Sequence, residues 1–136
     1  MRNEHGQVTV MALGLALVAF AVAGLATDGT RAFLLRRALQ NAADSAALAG
    51  ASELDTDAYY ESGGREAALD PTRARGVTLE WLGRRGLGAR SAIVATSSRV
   101  TVSLRSETRT AFLGLVGIER IPVVAMATAR PFSGSP

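Results

Sequence analysis

The sequence predicts an α+β protein in which one long N-terminal helix packs on a small antiparallel sheet of about three strands. Two observations support this prediction. Residues 8–27 form an apolar run without a charge, and a helical pattern continues beyond it to about Leu54. The second half of the chain contains short runs in which apolar and polar residues alternate, and this period is typical of half-buried strands.

The apolar run has the length of a membrane span. As a helix, residues 8–27 would rise about 30 Å, which matches the thickness of the hydrocarbon core of a bilayer. We therefore predict a single-pass membrane protein with three parts. These are an N-terminal tail with a transmembrane helix (1–27), an extramembrane continuation of that helix (28–54), and a small α+β head (55–136).

The helix beyond the span has an apolar stripe along one side. Its residues alternate between spacings of four and three, which places them on one face of a helix. The stripe narrows from leucine to alanine, so a neighbouring element can pack very close to it. The predicted packing residues are Leu35, Leu39, Ala42, Ala46 and Ala49.

The head has signals for one helix and three strands. Asp70 and Pro71 suit the N-cap and the first position of a helix, which we expect to stop at the glycines from Gly83 onward. A loop with a helical turn precedes this helix. The other expected elements are a hairpin of strands 92–96 and 99–105, a short helical segment over 111–117, and a last strand over 121–129.

Composition excludes several kinds of active site. The chain has no cysteine, which removes disulfides, thiol catalysis and cysteine-bound metals. The single histidine, His5, lies in the N-terminal tail, so the head cannot hold a histidine metal cluster or a Ser-His triad. No nucleophile–base spacing stands out. We predict no catalytic, cofactor-binding or metal-binding residues, no small-molecule substrate, and no nucleic-acid binding, because the arginines lack interleaved aromatics.

A resemblance to a known family follows from the N-terminal pattern. Gly6-Gln7 precede the apolar run, Asp28-Gly29 and Arg36-Arg37 follow it, and the run LQNAADSAALAGA begins at Leu39. Over residues 1–54 this resembles the TadE/TadG-like proteins of the Flp (tight-adherence) pilus system. The positions that carry the motif are Leu39, Gln40, Asn41, Ala42, Ala43, Asp44, Ala47, Leu48 and Ala49.

The resemblance implies a membrane-anchored, pilin-like protein of the bacterial cytoplasmic membrane with its head on the extracytoplasmic side. Its implied role is structural, through helix packing in pilus assembly or secretion, with other pilus or secretion components as partners. Homo-oligomerisation and entry into a filament stay open. The alternative is a generic membrane-anchored extracytoplasmic binding protein that is not part of a filament.

Orientation and processing have competing signals. Arg31, Arg36 and Arg37 follow the span, so the positive-inside rule alone would place the head in the cytoplasm. An uncleaved anchor, a secretory signal peptide and a prepilin-type leader cut between Gly6 and Gln7 are all open. Such leaders usually carry a glutamate five residues after the cut, where this chain has Met11. The apolar run is longer than that of usual signal peptides.

Overall fold

The computed structural model describes residues 4–65 and 67–132. It has three α-helices, three strands and a short 3-10 helix, and the strand order is β1-β2-β3. A long helix packed on an antiparallel sheet confirms the predicted α+β class. The elements are α1 (Glu4–Ala51), α2 (Thr56–Glu61), α3 (Pro71–Arg85), β1 (Arg90–Thr96), β2 (Arg99–Arg109), the 3-10 helix (Leu113–Val116) and β3 (Arg120–Ala129).

The described residues form two compact units, each with its own contacts. The Asp28 unit comprises the described residues up to Leu34 together with Glu107–Ile121. The sheet unit comprises Leu35–Ser106 together with the described residues from Pro122 onward. Because α1, β2 and β3 each contribute residues to both units, neither unit is a continuous piece of chain.

The core of the sheet unit lies between α1 and one face of the sheet. Alternate residues of β2 point into this core, as the apolar–polar alternation predicts. The helix contributes mainly alanines, and such small side chains let it lie close to the strands. The buried residues include Leu39, Ala42, Ala43, Ala46 and Ala47 of α1, and Ile93, Val100, Val102, Leu104, Val123, Ala125 and Ala127 of the strands.

The hairpin forms where the sequence predicts it. Strands β1 and β2 pair antiparallel, and Thr96 lies opposite Arg99 across the turn. The Thr96 hydroxyl oxygen accepts a hydrogen bond from the Arg99 N–H at 3.2 Å, which holds the turn closed. Both strands run further from the turn than predicted, because pairing in the sheet extends them beyond their apolar centres.

Helix α3 begins at the predicted cap and ends within the glycine-rich stretch where the sequence predicts its end. The Asp70 carboxylate accepts hydrogen bonds from the N–H groups of Thr72 at 3.0 Å and Arg73 at 3.1 Å. The helix continues through Gly83 and is capped at Gly86, which has a φ of 58°. Glycine is tolerated inside a helix but favoured in this left-handed conformation, so Gly86 ends the helix and Gly83 does not.

Helices α1 and α3 approach closely at Gly50. A Cβ at this position would collide with the Thr78 hydroxyl and would lie 2.9 Å from the carbonyl oxygen of Ala74. Thr78 is fully buried, and its hydroxyl donates to the Ala74 carbonyl at 2.7 Å. The absence of a side chain at Gly50 therefore sets the spacing between the two helices.

Candidate functional site

The apolar run lies within α1 and is largely exposed. The helix is long and apolar enough to cross a membrane, and its most apolar window has a mean hydropathy of 2.5. An exposed apolar surface of this extent marks a contact with lipid or with other proteins. The large exposed side chains of the run are Val8, Val10, Met11, Leu13, Leu15, Leu17, Val18, Phe20, Val22 and Leu25.

Asp28, the first residue after the run, is buried and holds a distant loop. Its Oδ1 accepts a hydrogen bond from the N–H of Ala111 at 2.7 Å. Its Oδ2 accepts from the N–H groups of Phe112 at 2.9 Å and Leu113 at 2.8 Å. The side chain of one helix thus caps the start of the 3-10 helix, whose first N–H groups would otherwise lack acceptors.

These hydrogen bonds favour the charged form of the carboxyl group. The N–H groups of Ala111, Leu113 and Phe112 lower the pKa of Asp28 below its ordinary value, and the nearby Arg31 acts in the same direction. Burial opposes this effect by disfavouring the charge. The net result is an aspartate that is ionised at neutral pH in an almost fully enclosed position.

An aromatic contact seats the same loop on the helix. The Phe112 ring lies against Gly24, where a Cβ would come within 2.6 Å of it. It also meets Phe20 edge to face, with ring centroids 5.2 Å apart. Phe20, Gly24 and Asp28 are spaced four residues apart, so they share one face of α1. On this face of α1, Gly24 leaves space for the Phe112 ring, and the Asp28 carboxylate accepts hydrogen bonds from the backbone of the loop.

Next to the contact of Phe112 with α1, the loop exposes apolar side chains. We call residues 111–118 the capped loop. Leu115 is 79% exposed and Val116 is 74% exposed, while Phe112 and Leu113 are half-buried. Gly117 adopts a φ of 88°, which ends the 3-10 helix and returns the chain to β3. The capped loop contains no charged residue.

Comparison with known proteins connects this helix to a family. Residues 6–53 match the family model "Putative Flp pilus-assembly TadE/G-like". The match confirms the resemblance predicted from the sequence, and it covers the apolar run, Asp28 and the motif that starts at Leu39. We call residues 6–53 the TadE/G-like segment. No curated protein and no solved structure matches the chain.

The structure buries the apolar stripe of the TadE/G-like segment inside the chain. Leu39, Ala42 and Ala46 belong to the core of the sheet unit. Leu35 is partly buried against that core, and Ala49 is half-exposed. The predicted packing stripe therefore contacts this chain's own sheet. A surface for a helix of another subunit has to lie on a different face of α1.

The remaining motif residues divide between core and surface. Ala43 and Ala47 are buried with the stripe. Gln40 donates hydrogen bonds to the carbonyl oxygen of Met126 in β3 and to the Asp44 carboxylate, both at 3.0 Å. The motif residues that stay exposed are Asn41, Asp44 and Leu48, the last at 68%. These three positions are not explained by the packing of the sheet unit.

The predicted leader junction lies at the start of α1. Gly6 and Gln7 are helical and exposed, and Gly6 is also where the TadE/G-like segment begins. Cleavage between them stays a prediction.

Sequence analysis missed the roles of Asp28, Phe112 and Gly50. Asp28 entered only as part of a pattern, and its partners lie 83 to 85 residues further along the chain. The available signal was a lone acidic residue immediately after an apolar run, which needs donors if it is enclosed. No local sequence pattern marks Gly50, because its contact with Thr78 forms only when α3 packs against α1.

The described residues show neither a metal-binding cluster nor an ionisable lining in the depression beside α3. Within residues 4–65 and 67–132, no group of three or more His, Cys, Asp or Glu side chains could hold a metal ion. An open depression of about 330 Å³ lies beside the end of α3, and Leu79, Leu82 and Leu104 contribute to its lining. This lining has no ionisable side chain, so it supplies no general acid or base.

Proposed function

We propose that this chain is a membrane-anchored, pilin-like component of Flp-type pilus assembly or secretion machinery. The observation that carries the proposal is the match of residues 6–53 to the TadE/G-like family model. The matched residues include both the apolar run and the helix beyond it. The proposed role is structural, and the chain acts through contacts of α1 and its head rather than through catalysis.

The proposed location is the bacterial cytoplasmic membrane, with α1 crossing once and the head on the extracytoplasmic side. The exposed apolar run supports the crossing, since it matches the hydrocarbon thickness and few of its side chains are covered. The family resemblance supports the orientation, because the arginines after the span favour the opposite one. Long translocated domains often override such a charge bias.

Exposed motif residues are the proposed contact with other assembly components. Asn41, Asp44 and Leu48 recur on the side of α1 that the sheet unit leaves open. Leu48 is a large apolar side chain that gains from burial against a partner. A neighbouring pilus component or a second copy would supply that partner.

A deletion strain and a tagged full-length chain test the function. We expect loss of the gene to remove surface pili seen by electron microscopy, and we expect in-cell crosslinking to recover pilus or secretion components with the tagged chain. Unchanged pili together with no recovered pilus component would overturn the proposal, provided the chain is present in the membrane fraction.

Two measurements test location and processing. A cysteine at Tyr60, which is 80% exposed, should react with a membrane-impermeant maleimide in intact spheroplasts, because we place the head outside. The intact mass of the membrane protein reports its N-terminus. A start at Gln7 indicates prepilin-type cleavage, a start at Met1 an uncleaved anchor, and a start at Gly24 a cleaved signal peptide that removes the proposed span.

One observation favours a second candidate function. The apolar stripe is buried against the chain's own sheet, so it is not free to join a helix bundle, and the large apolar side chains that α1 exposes beyond Asp28 are Phe33, Leu34 and Leu48. A membrane-anchored extracytoplasmic binding protein outside any filament needs no such bundle. Pili that persist without this chain, with recovery of an envelope protein unrelated to pili, would support this second function.

A further inference from the structure

We propose that the capped loop is a second membrane contact, which inserts Leu115 and Val116 into the outer part of the bilayer beside α1. The inference rests on the proposed membrane span, and it adds a lipid-binding surface outside that span. The occupant of the exposed loop surface is therefore lipid, not another protein. Four observations within the Asp28 unit support it.

The first observation is the depth at which the loop is attached. Phe112 packs on Phe20 and Gly24, which lie inside the apolar run that ends at Thr27. At about 1.5 Å per residue, these two positions are roughly 10 Å and 5 Å below the end of the run. A helix that spans the bilayer through residues 8–27 thus carries Phe112 into the hydrocarbon with it.

The second observation is the composition of the loop. Its large exposed side chains are the apolar Leu115 and Val116, together with Ile118 at 49%. Charged residues begin only outside it, at Arg109 before the loop and Glu119 after it. An apolar segment bounded by charges is typical of a surface that enters lipid up to the headgroups.

The third observation is that six of the eight N–H groups of the loop have partners within the protein. Hydrocarbon offers no hydrogen bonds, so unpaired N–H groups would prevent insertion. Asp28 accepts from three of them, and carbonyl oxygens within the loop accept from three more. The donors are the N–H groups of Ala111, Phe112, Leu113, Leu115, Gly117 and Ile118.

The fourth observation is the position of the charge that anchors the loop. Asp28 follows the apolar run directly, which places its carboxylate near the headgroup boundary when the run spans the bilayer. Its burial beneath the loop keeps the charge away from lipid and in contact with donors. The same residue thus marks the boundary and holds an apolar loop beside it.

Spin labels on single cysteines in the full-length chain test the inference, because the natural sequence has no cysteine. Four variants are reconstituted in nanodiscs of phosphatidylcholine and phosphatidylglycerol: Leu115→Cys, Val116→Cys, Leu17→Cys in the span, and Tyr60→Cys in the sheet unit. Collisions of each label with oxygen, which concentrates in lipid, are compared with collisions with a water-soluble nickel chelate.

We expect the labels at Leu115, Val116 and Leu17 to collide more often with oxygen than with the nickel chelate. The label at Tyr60 should collide more often with the nickel chelate. If Leu17 favours oxygen while both loop labels favour nickel, the loop is in water and the inference is wrong. Low collision rates with both reagents at the loop indicate burial against protein and also overturn it. If Leu17 itself favours nickel, the proposed span fails, and the inference fails with it.

Discussion

Asp28 is a carboxylate that lies beside an apolar helix and has almost no contact with water. Its two oxygens meet three N–H groups at 2.7 to 2.9 Å, so these donors compensate most of the charge and the nearby Arg31 adds to their effect. Hydrogen bonds to a charged acceptor are about twice as strong as neutral ones. The loop is therefore fixed by one side chain, and removal of that side chain orphans three donors together.

Replacement of Asp28 with alanine should release the capped loop. We expect the amides of residues 111–113 to exchange with deuterium roughly tenfold faster or more, because each loses a charge-assisted hydrogen bond. Hydrogen exchange with mass spectrometry on the full chain in micelles measures this. Asp44→Ala is the matched control, since Asp44 is exposed on the same helix and should leave this exchange unchanged.

The cap should also depend on pH. Since the pKa of Asp28 is lower in the folded chain than in the unfolded chain, its stabilising effect is present above the unfolded value of about 3.9. The effect is lost as the pH falls through the lower folded value. We expect protection of residues 111–113, corrected for intrinsic exchange, to be constant from pH 7 to 5 and to decline below about pH 4. Unchanged protection well below that pH would contradict the cap.

At the scale of elements, the contact of α1 with α3 depends on one glycine. Gly50→Ala should destabilise the sheet unit by about 1–3 kcal/mol, because the added methyl group meets the Thr78 hydroxyl and the Ala74 carbonyl. Gly76→Ala in α3 meets open space and should stabilise it by about 0.5–1 kcal/mol through helix propensity. Chemical denaturation followed by fluorescence of Trp81, the single tryptophan, measures both. A Gly50→Ala variant as stable as the natural chain would show that the close approach is wrong.

The buried face of α1 gives a second prediction, which concerns the packing of this helix on the sheet. Ala46→Arg places a charge in a fully buried position of the core and should cost about 3–5 kcal/mol or prevent folding. Ser45→Arg, on the neighbouring exposed position, should change stability by less than about 0.5 kcal/mol. The measurement is the same denaturation midpoint. Similar midpoints for the two variants would mean that the stripe does not pack on the sheet.

Local signals in the sequence were enough for most elements. Asp70 fixes the start of α3 by accepting hydrogen bonds from Thr72 and Arg73, and Pro71 suits the first helical position. The alternation along β2 fixes which face of the strand is buried. The motif from Leu39 predicted the resemblance to the TadE/G-like family over residues 6–53. It did not predict what its apolar stripe packs against, because alanines pack equally well on a sheet or on another helix. Asp28 could not be paired with its loop, since no local pattern links residues 83 apart.

At the scale of the whole molecule, the proposed function requires a contact that the fold itself does not use. Leu48→Asp should change the free energy of unfolding of the sheet unit by less than about 0.5 kcal/mol, because Leu48 is exposed. It should reduce pilus number and the recovery of crosslinked partners. Pilus counts in the complemented deletion strain measure this, with Tyr60→Asp as the control because Tyr60 is exposed and lies outside α1. Normal pili in the Leu48→Asp strain would remove this residue from the proposed interface.

The distance along the chain between Asp28 and Ala111 also sets an order of events during biosynthesis. The carboxylate leaves the ribosome long before its donors, and β1 and β2 are both synthesised in the interval. Closure of such a long loop comes late in folding. Until then the Asp28 carboxylate, at the end of the apolar run, lacks its three N–H donors, and such a charge resists entry into lipid. The nascent chain thus ends its span at a charged residue that resists entry into lipid. This residue binds the loop only when residues 111–113 reach the same side of the membrane.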